Sequence, residues 1–217
     1  MSIISILNPK GGCGKTTLST NLARYYHDKD ITTLLVDTDP QGSASDWHAA
    51  REDNPLPFVA YNKPENLKAL PGIAAAYDTV IIDGAAKLEG MMGAVIKVSD
   101  IILIPVQPSP YDIWATADLV DLIQARREVT EGKPLASFVV SRAVKRTLLE
   151  KETYEALAEY NLPVFEACTT QRQIYPRTAS QGLSVFDTIA AIQARNEIKS
   201  IALEIEQMLE GDLRHVA

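Results

Sequence analysis

Residues able to handle phosphate and a divalent cation gather at three places in the chain. The densest is Asn8-Pro9-Lys10-Gly11-Gly12-Cys13-Gly14-Lys15-Thr16-Thr17. Its glycines let backbone amides turn inward without Cβ clashes. The amides of Gly11, Gly12, Cys13, Gly14, Lys15, Thr16 and Thr17, with the positive end of a following helix, form a nest for phosphate oxygens. Lys15 supplies a mobile charge for β- and γ-phosphates, and Thr16 offers a hydroxyl to Mg²⁺. The second place is Val36-Asp37-Thr38-Asp39-Pro40-Gln41-Gly42. Carboxylates two positions apart at a strand end face the same side. One suits a metal and the other can orient a water toward the γ-phosphate; a turn-forming aspartate pair is the alternative. The third is Thr79-Val80-Ile81-Ile82-Asp83, a β-branched run ending in a carboxylate placed to hold Mg²⁺ through water.

These groups need rigid elements behind them. Apolar runs occur at Ile3–Leu7, Thr32–Val36, Phe58–Ala60, Thr79–Ile82, Ile101–Val106, Phe138–Val140 and Val164–Ala167. Several are continuous and β-branched, as in strands buried on both faces. Helical patterns lie near Thr16–His27, 43–53, 64–70, 88–98, 112–129, 147–160 and 189–209. Such alternation predicts an α/β fold, a mostly parallel twisted sheet with helices on both faces, in one domain over 1–217. In such sheets ligands bind beyond the carboxyl ends of the strands, where all three clusters fall.

The chain has 217 residues, with ordinary hydrophobic and charged fractions. A net charge of −7 argues against a uniformly basic nucleic-acid binder but allows a local basic patch. Two distant cysteines and three scattered histidines offer neither a disulfide framework nor metal-ligand spacing. No leader precedes the first strand and no run is long enough to span a bilayer, so a cytoplasmic location is expected. The final pattern carries Ile192, Ile198, Ile201, Ile205 and Leu209 opposite Glu197, Glu204, Glu206 and Glu210. That acidic side would be repelled by anionic lipid, so core packing is expected and no membrane partner.

Lys10-Gly11-Gly12-Cys13-Gly14-Lys15-Thr16, with Pro9 where the ordinary phosphate loop has its first glycine, resembles the deviant Walker A loop of the ParA/MinD ATPases. Asp37-Thr38-Asp39-Pro40-Gln41-Gly42 is similar to that family's second signature. The segment Pro108-Ser109-Pro110 and the stretch Thr169–Arg177 resemble ParF-type plasmid-partition ATPases. The resemblance implies a P-loop fold, ATP/ADP and Mg²⁺ as cofactors, and metal contacts from Thr16, Asp37 and Asp83. It implies catalytic roles for Lys15, for Asp39 at the water, and for Lys10 reaching across to the phosphates of a second copy. Pro108 is the cofactor-side candidate of the proline loop, which serves as a dimer-facing or base-facing wall or as a rigid connection. The implied partners are a second copy of the chain in an ATP-dependent homodimer or filament, a centromere-binding adaptor and non-specific DNA, giving nucleoid association. Arg142, Lys145, Arg146, Arg172, Arg177, Arg195 and Lys199 are candidates for a phosphate-tracking surface or are separately paired surface cations.

The leading expectation is a DNA-partition ATPase. A second reading keeps the ATPase and changes the cargo to a chromosome, a protein compartment or MinD-like machinery. A third is a metabolic P-loop ligase or a metal-cluster reductase. The reductase needs paired cysteines that Cys13 and Cys168 do not supply.

Overall fold

The computed structural model describes residues 1–86 and 89–216. Its elements in chain order are β1 (Ser2–Ile6), α1 (Lys15–His27), β2 (Thr33–Asp37), α2 (Ser43–Ala49), β3 (Phe58–Ala60), a 3₁₀ turn (Pro64–Ala69), α3 (Leu70–Ala74) and β4 (Thr79–Asp83). They continue with α4 (Glu89–Val98), β5 (Ile101–Val106), α5 (Pro110–Trp114), α6 (Ala117–Glu128), β6 (Leu135–Val140), α7 (Leu148–Ala158) and α8 (Ile174–Ala179). Two 3₁₀ turns (Val185–Asp187 and Ile189–Ala191) lead into α9 (Ile192–Val216). Position 88, where the pattern 88–98 starts, and Ala217 lie outside the described residues.

Among the described residues the strands form one parallel sheet in the order β3-β2-β4-β1-β5-β6. The strand residues alternate between two cores, which explains their continuous apolarity. Ile3, Leu34, Val36, Val80, Ile82, Ile102 and Ile104 face one core with Met91, Leu119 and Ile123 of α4 and α6. Ile4, Ile6, Leu35, Ile81, Ile101 and Leu103 face the other, with Leu18 and Leu22 of α1 and Ile198, Ile201 and Ile205 of α9. Full burial of residues like these contributes about 1.5–3 kcal/mol each. The sheet is therefore a stiff floor for the loops at its carboxyl edge. Asp187 ties α1 to the segment just after α2 at its rim, pairing with Arg24 (2.9 Å) and Arg51 (3.1 Å).

Several expected elements differ. Val164–Ala167 adds no strand: Val164 makes an isolated bridge with Phe138, while the amides of Glu166 and Ala167 donate to Glu204 on α9. The 64–70 pattern is a 3₁₀ turn running into α3. The 112–129 pattern is split into α5 and α6, and at the break the Thr116 hydroxyl donates to Ile113 O (2.7 Å). The short α8 was not anticipated, because Pro176 reads as a breaker; it sits in the first turn, where its missing N–H leaves no partner unsatisfied. On α9, Ile198, Ile201 and Ile205 are buried as expected, whereas Ile192 at the helix start is exposed. Among the described residues no helix is long and apolar enough to cross a membrane.

Candidate functional site

The loop between β1 and α1 is fastened by the end of β5 and by the chain segments that follow β5 and β6. Asn8 Nδ2 donates to Pro105 O (2.7 Å), and Asn8 Oδ1 accepts from Lys10 N (2.8 Å). Gln107 Nε2 donates to Gly12 O (2.8 Å), and the Ser141 hydroxyl donates to Cys13 O. Gly14 caps α1 at φ 102°, a left-handed conformation that only glycine adopts without strain. Lacking a side chain, Gly14 places no capping oxygen over the first-turn amides of α1. Those donors and the helix dipole are directed at any anion in the loop.

The metal-side groups meet beneath this loop. Thr16 Oγ1 donates to Asp83 Oδ2 (2.7 Å) and Ser19 Oγ to Asp83 Oδ1 (3.0 Å). Asp83 is fully buried, and burial pushes its carboxyl up to about 7; the charge of Asp37 pushes the same way, against the Thr16 and Ser19 bonds and Lys15. Asp37 stands beside Asp83 in the β2–β4 register. The tight packing there explains Gly84: a Cβ on it would lie 2.2 Å from Leu7 Cδ2.

Asp37 and Asp39 do not face the same space. Asp37 is buried, and its Oδ2 accepts from Ser45 N (2.9 Å) and Ser45 Oγ (2.8 Å), while Oδ1 accepts from Asp39 N (3.0 Å). The physical reason is the start of α2: Gly42 occupies the cap position and has no side-chain acceptor, so a carboxylate from the strand satisfies the helix's first turn. Asp39 instead stands on the rim, its Oδ1 accepting from Gln41 N (3.0 Å).

The two lysines are held within their own subunit. Lys15 is buried, and its Nζ donates to Lys10 O (3.0 Å). Lys10 Nζ is paired with Asp112 Oδ2 at 2.6 Å, on α5 just after the proline loop. Asp112 is buried, and its other oxygen has no hydrogen-bond partner among the described residues. Cys13 is buried, its thiol bonded to Lys10 O (3.3 Å) and pushed above its usual range by burial against the opposing pull of Lys15.

A cavity of about 770 Å³ opens over the loop, lined among others by Gly11, Gly12, Lys15, Thr16, Asp39 and Arg142. A smaller one of about 190 Å³ continues from Gly14, Thr17 and Arg142 past Ser141 to Thr170, Arg172 and Tyr175. Pro108 lines neither; its loop acts through Gln107 and Asp112, which hold Gly12 and Lys10. Arg142, at the junction of the cavities, has left-handed backbone (φ 52°), as do Asp30, Glu131, Arg146 and Asn161 in turns elsewhere.

Of the candidate cations, Arg142, Lys145, Arg146, Arg177 and Lys199 are exposed. Arg172 and Arg195 are turned inward: Arg172 pairs with Glu197 (2.9 Å), and Arg195 donates to the carbonyls of Val185 and Thr188. Asp112, Gln107, Ser19 and Glu197 were not singled out for the site. Their partners lie far along the chain or carry no motif, so no local spacing marks them.

Residues 4–185 match the family model of the CobQ/CobB/MinD/ParA nucleotide binding domain. The chain belongs to this family. Maintenance of carboxysome distribution protein A of Halothiobacillus neapolitanus is 30% identical over 210 residues, covering 95% of this chain and 94% of that protein. Chromosome-partitioning ATPase Soj of Thermus thermophilus is 26% identical over 194 residues, covering 75% and 78%. A Cyanothece McdA variant solved in complex with ATP superposes with a TM-score of 0.78 at 15% identity, over 95% of this chain and 96% of that one. These relatives of the ParA/MinD chain are named for carboxysome distribution and chromosome partitioning, not for the ParF-type plasmid partition that Thr169–Arg177 resembles.

Proposed function

We propose that this chain is an ATP-driven positioning ATPase whose cargo is a protein compartment. The observation that carries the catalytic part is the Thr16–Asp83 pair beneath the glycine loop, with Asp39 on the rim of the same cavity. Hydroxyl, carboxylate and phosphate oxygens are the donor set Mg²⁺ takes, with water completing its shell. Among the described residues no richer group of His, Cys, Asp or Glu gathers elsewhere. The cargo part rests on relatives named for carboxysome distribution, similar over nearly the whole chain.

In this reading Lys15 leaves the Lys10 carbonyl to neutralise β- and γ-phosphate oxygens, and the loop amides hold the rest of the phosphate chain. Thr16 and Asp83 hold Mg²⁺, with Asp37 behind Asp83. Mg²⁺ when bound supplies charge neutralisation at the transferring phosphoryl group. Asp39 orients the attacking water. Lys10 exchanges Asp112 for the phosphates of a second copy, which links the triphosphate to pairing. ATP then favours the dimer only through its higher affinity for the paired form. An adaptor protein on the cargo would stimulate turnover, and the nucleoid would serve as the surface on which the dimers sit.

The test is ATP turnover of the purified chain with Mg²⁺, in wild type and Lys15→Ala. Slow hydrolysis that disappears in the variant together with ATP binding is expected. Equal ATP affinity in both proteins would remove Lys15 from the site and the reading with it. Soj favours a chromosomal cargo as the second reading; stimulation by a compartment-bound rather than a DNA-bound adaptor distinguishes the two.

A further inference from the structure

The C-terminal helix carries a carboxylate that belongs functionally to the far end of the nucleotide site. Glu197 on α9 is nearly buried, with 9% of its side chain exposed. It accepts four hydrogen bonds from one short segment. Its Oε1 takes Thr170 Oγ1 (2.6 Å) and Arg172 Nε (2.9 Å), and its Oε2 takes Tyr175 hydroxyl (2.8 Å) and Thr170 N (3.2 Å). Two turns along, Glu204 accepts the amides of Glu166 (3.0 Å) and Ala167 (2.6 Å). Within 166–175 the backbone is tied to the sheet side only around Thr169 and Thr170, where Thr169 N donates to Val140 O (3.1 Å), Gln171 N donates to Ala143 O (3.1 Å) and Thr170 bridges Ala143. The two carboxylates hold the segment from the opposite side, and Glu197 alone gathers the side chains of Thr170, Arg172 and Tyr175.

Thr170, Arg172 and Tyr175 line the smaller cavity that continues from Gly14 and Thr17. The strand order says which end of a nucleotide lies there. The metal groups come from α1 and β4, with β2 beyond, on one side of β1, so the terminal phosphates lie on that side. The remainder of a nucleotide runs the other way, toward β5 and β6, where this cavity opens. We propose that Glu197 is a positioning residue: it holds the Thr170–Tyr175 wall against the nucleoside and so sets how strongly, and with what base preference, the nucleotide is held. This rests on the nucleotide-site reading above. A charged acceptor with four donors holds its neighbours more firmly than neutral bonds do. Losing it frees the side chains of Thr170, Arg172 and Tyr175 while the backbone bonds to Val140 and Ala143 remain, and leaves the phosphate loop, anchored separately by Asn8, Gln107 and Ser141, in place.

The experiment compares wild type, Glu197→Ala, Glu197→Gln and Tyr175→Phe for affinity toward ATP, GTP and inorganic tripolyphosphate, each with Mg²⁺. Glu197→Ala should weaken ATP by about tenfold, the size of one lost charge-assisted contact. It should narrow the ATP-to-GTP ratio and leave tripolyphosphate affinity unchanged. Glu197→Gln should recover part of the loss, since it keeps an acceptor, and Tyr175→Phe should reproduce part of it. A merely structural role would lower all three affinities together or none. An unchanged ratio of ATP to tripolyphosphate affinity overturns the inference; if Glu197→Ala does not fold, the same ratio in the two milder variants decides. A wild-type chain that binds neither ATP nor tripolyphosphate instead overturns the nucleotide site itself.

Discussion

Asp83 carries the most consequential charge at the residue scale. Its carboxyl is raised to about 7 by burial, so the folded chain holds a proton there that the unfolded chain releases near pH 4. The sign follows from linkage: this group's contribution to stability is fully present below the unfolded value and lost as pH rises through about 7. In buffer with chelator, the melting temperature of wild type should therefore fall more steeply between about pH 4 and 7 than that of Asp83→Asn, which mimics the protonated form. Parallel curves would show that Asp83 is ionised throughout. In the proposed site Mg²⁺ would take Asp83 as the carboxylate, so Mg²⁺-dependent ATP affinity should weaken as pH drops below about 7, with a proton released on binding, measurable by calorimetry in buffers of different ionisation heat. Lys10 supplies a second prediction. Lys10→Ala should keep most ATP affinity, because the ammonium faces Asp112 rather than the loop's anion nest, yet abolish ATP-dependent pairing in light scattering. Normal dimers would end the cross-subunit role. The meeting of Thr16 with Asp83 was legible because each belongs to its own local motif, a glycine-rich turn and a β-branched run ending in a carboxylate; Asp112 and Lys10 are 102 residues apart, and no local pattern encodes that pairing.

The sheet was legible because each central strand is buried on both faces and therefore continuously apolar. Helix ends were less so, since tertiary partners decide them. The Asp-x-Asp signature illustrates this: period-two geometry puts Asp37 and Asp39 on one side of an ideal strand, but β2 ends at Asp37, and Gly42 leaves α2 without a cap. Asp37 is drawn to Ser45, and Asp39 alone reaches the cavity rim. Asp37→Ala should thus destabilise the chain by about 1–2 kcal/mol, the usual loss for a helix cap or a buried acceptor, read as a lower urea midpoint in metal-free buffer. Ser45→Ala should lose part of the same energy, and the double variant less than the sum, because both act on one bond network. Full additivity would mean that Asp37 does not cap α2.

At the scale of the whole molecule, a chain of net charge −7 needs a local device to bind polyanionic DNA. The exposed cations Arg142, Lys145, Arg146, Arg177 and Lys199 all lie on segments following β6, with Arg142 at the mouth of the nucleotide cavities. One copy offers few phosphate contacts, and counterion release makes affinity fall with salt in proportion to their number, with a log–log slope of about −0.9 per contact. Pairing two copies doubles the contacts a single DNA can meet. DNA affinity should therefore be weak and shallow in salt with ADP, and stronger with roughly twice the slope in ATP. Lys145→Glu combined with Arg146→Glu should flatten the ATP curve while leaving ATP-driven dimerisation intact, since neither residue lines the cavity over the phosphate loop. Equal slopes with ATP and ADP would separate DNA from the nucleotide cycle. The positioning function would then have to act on a surface other than the nucleoid.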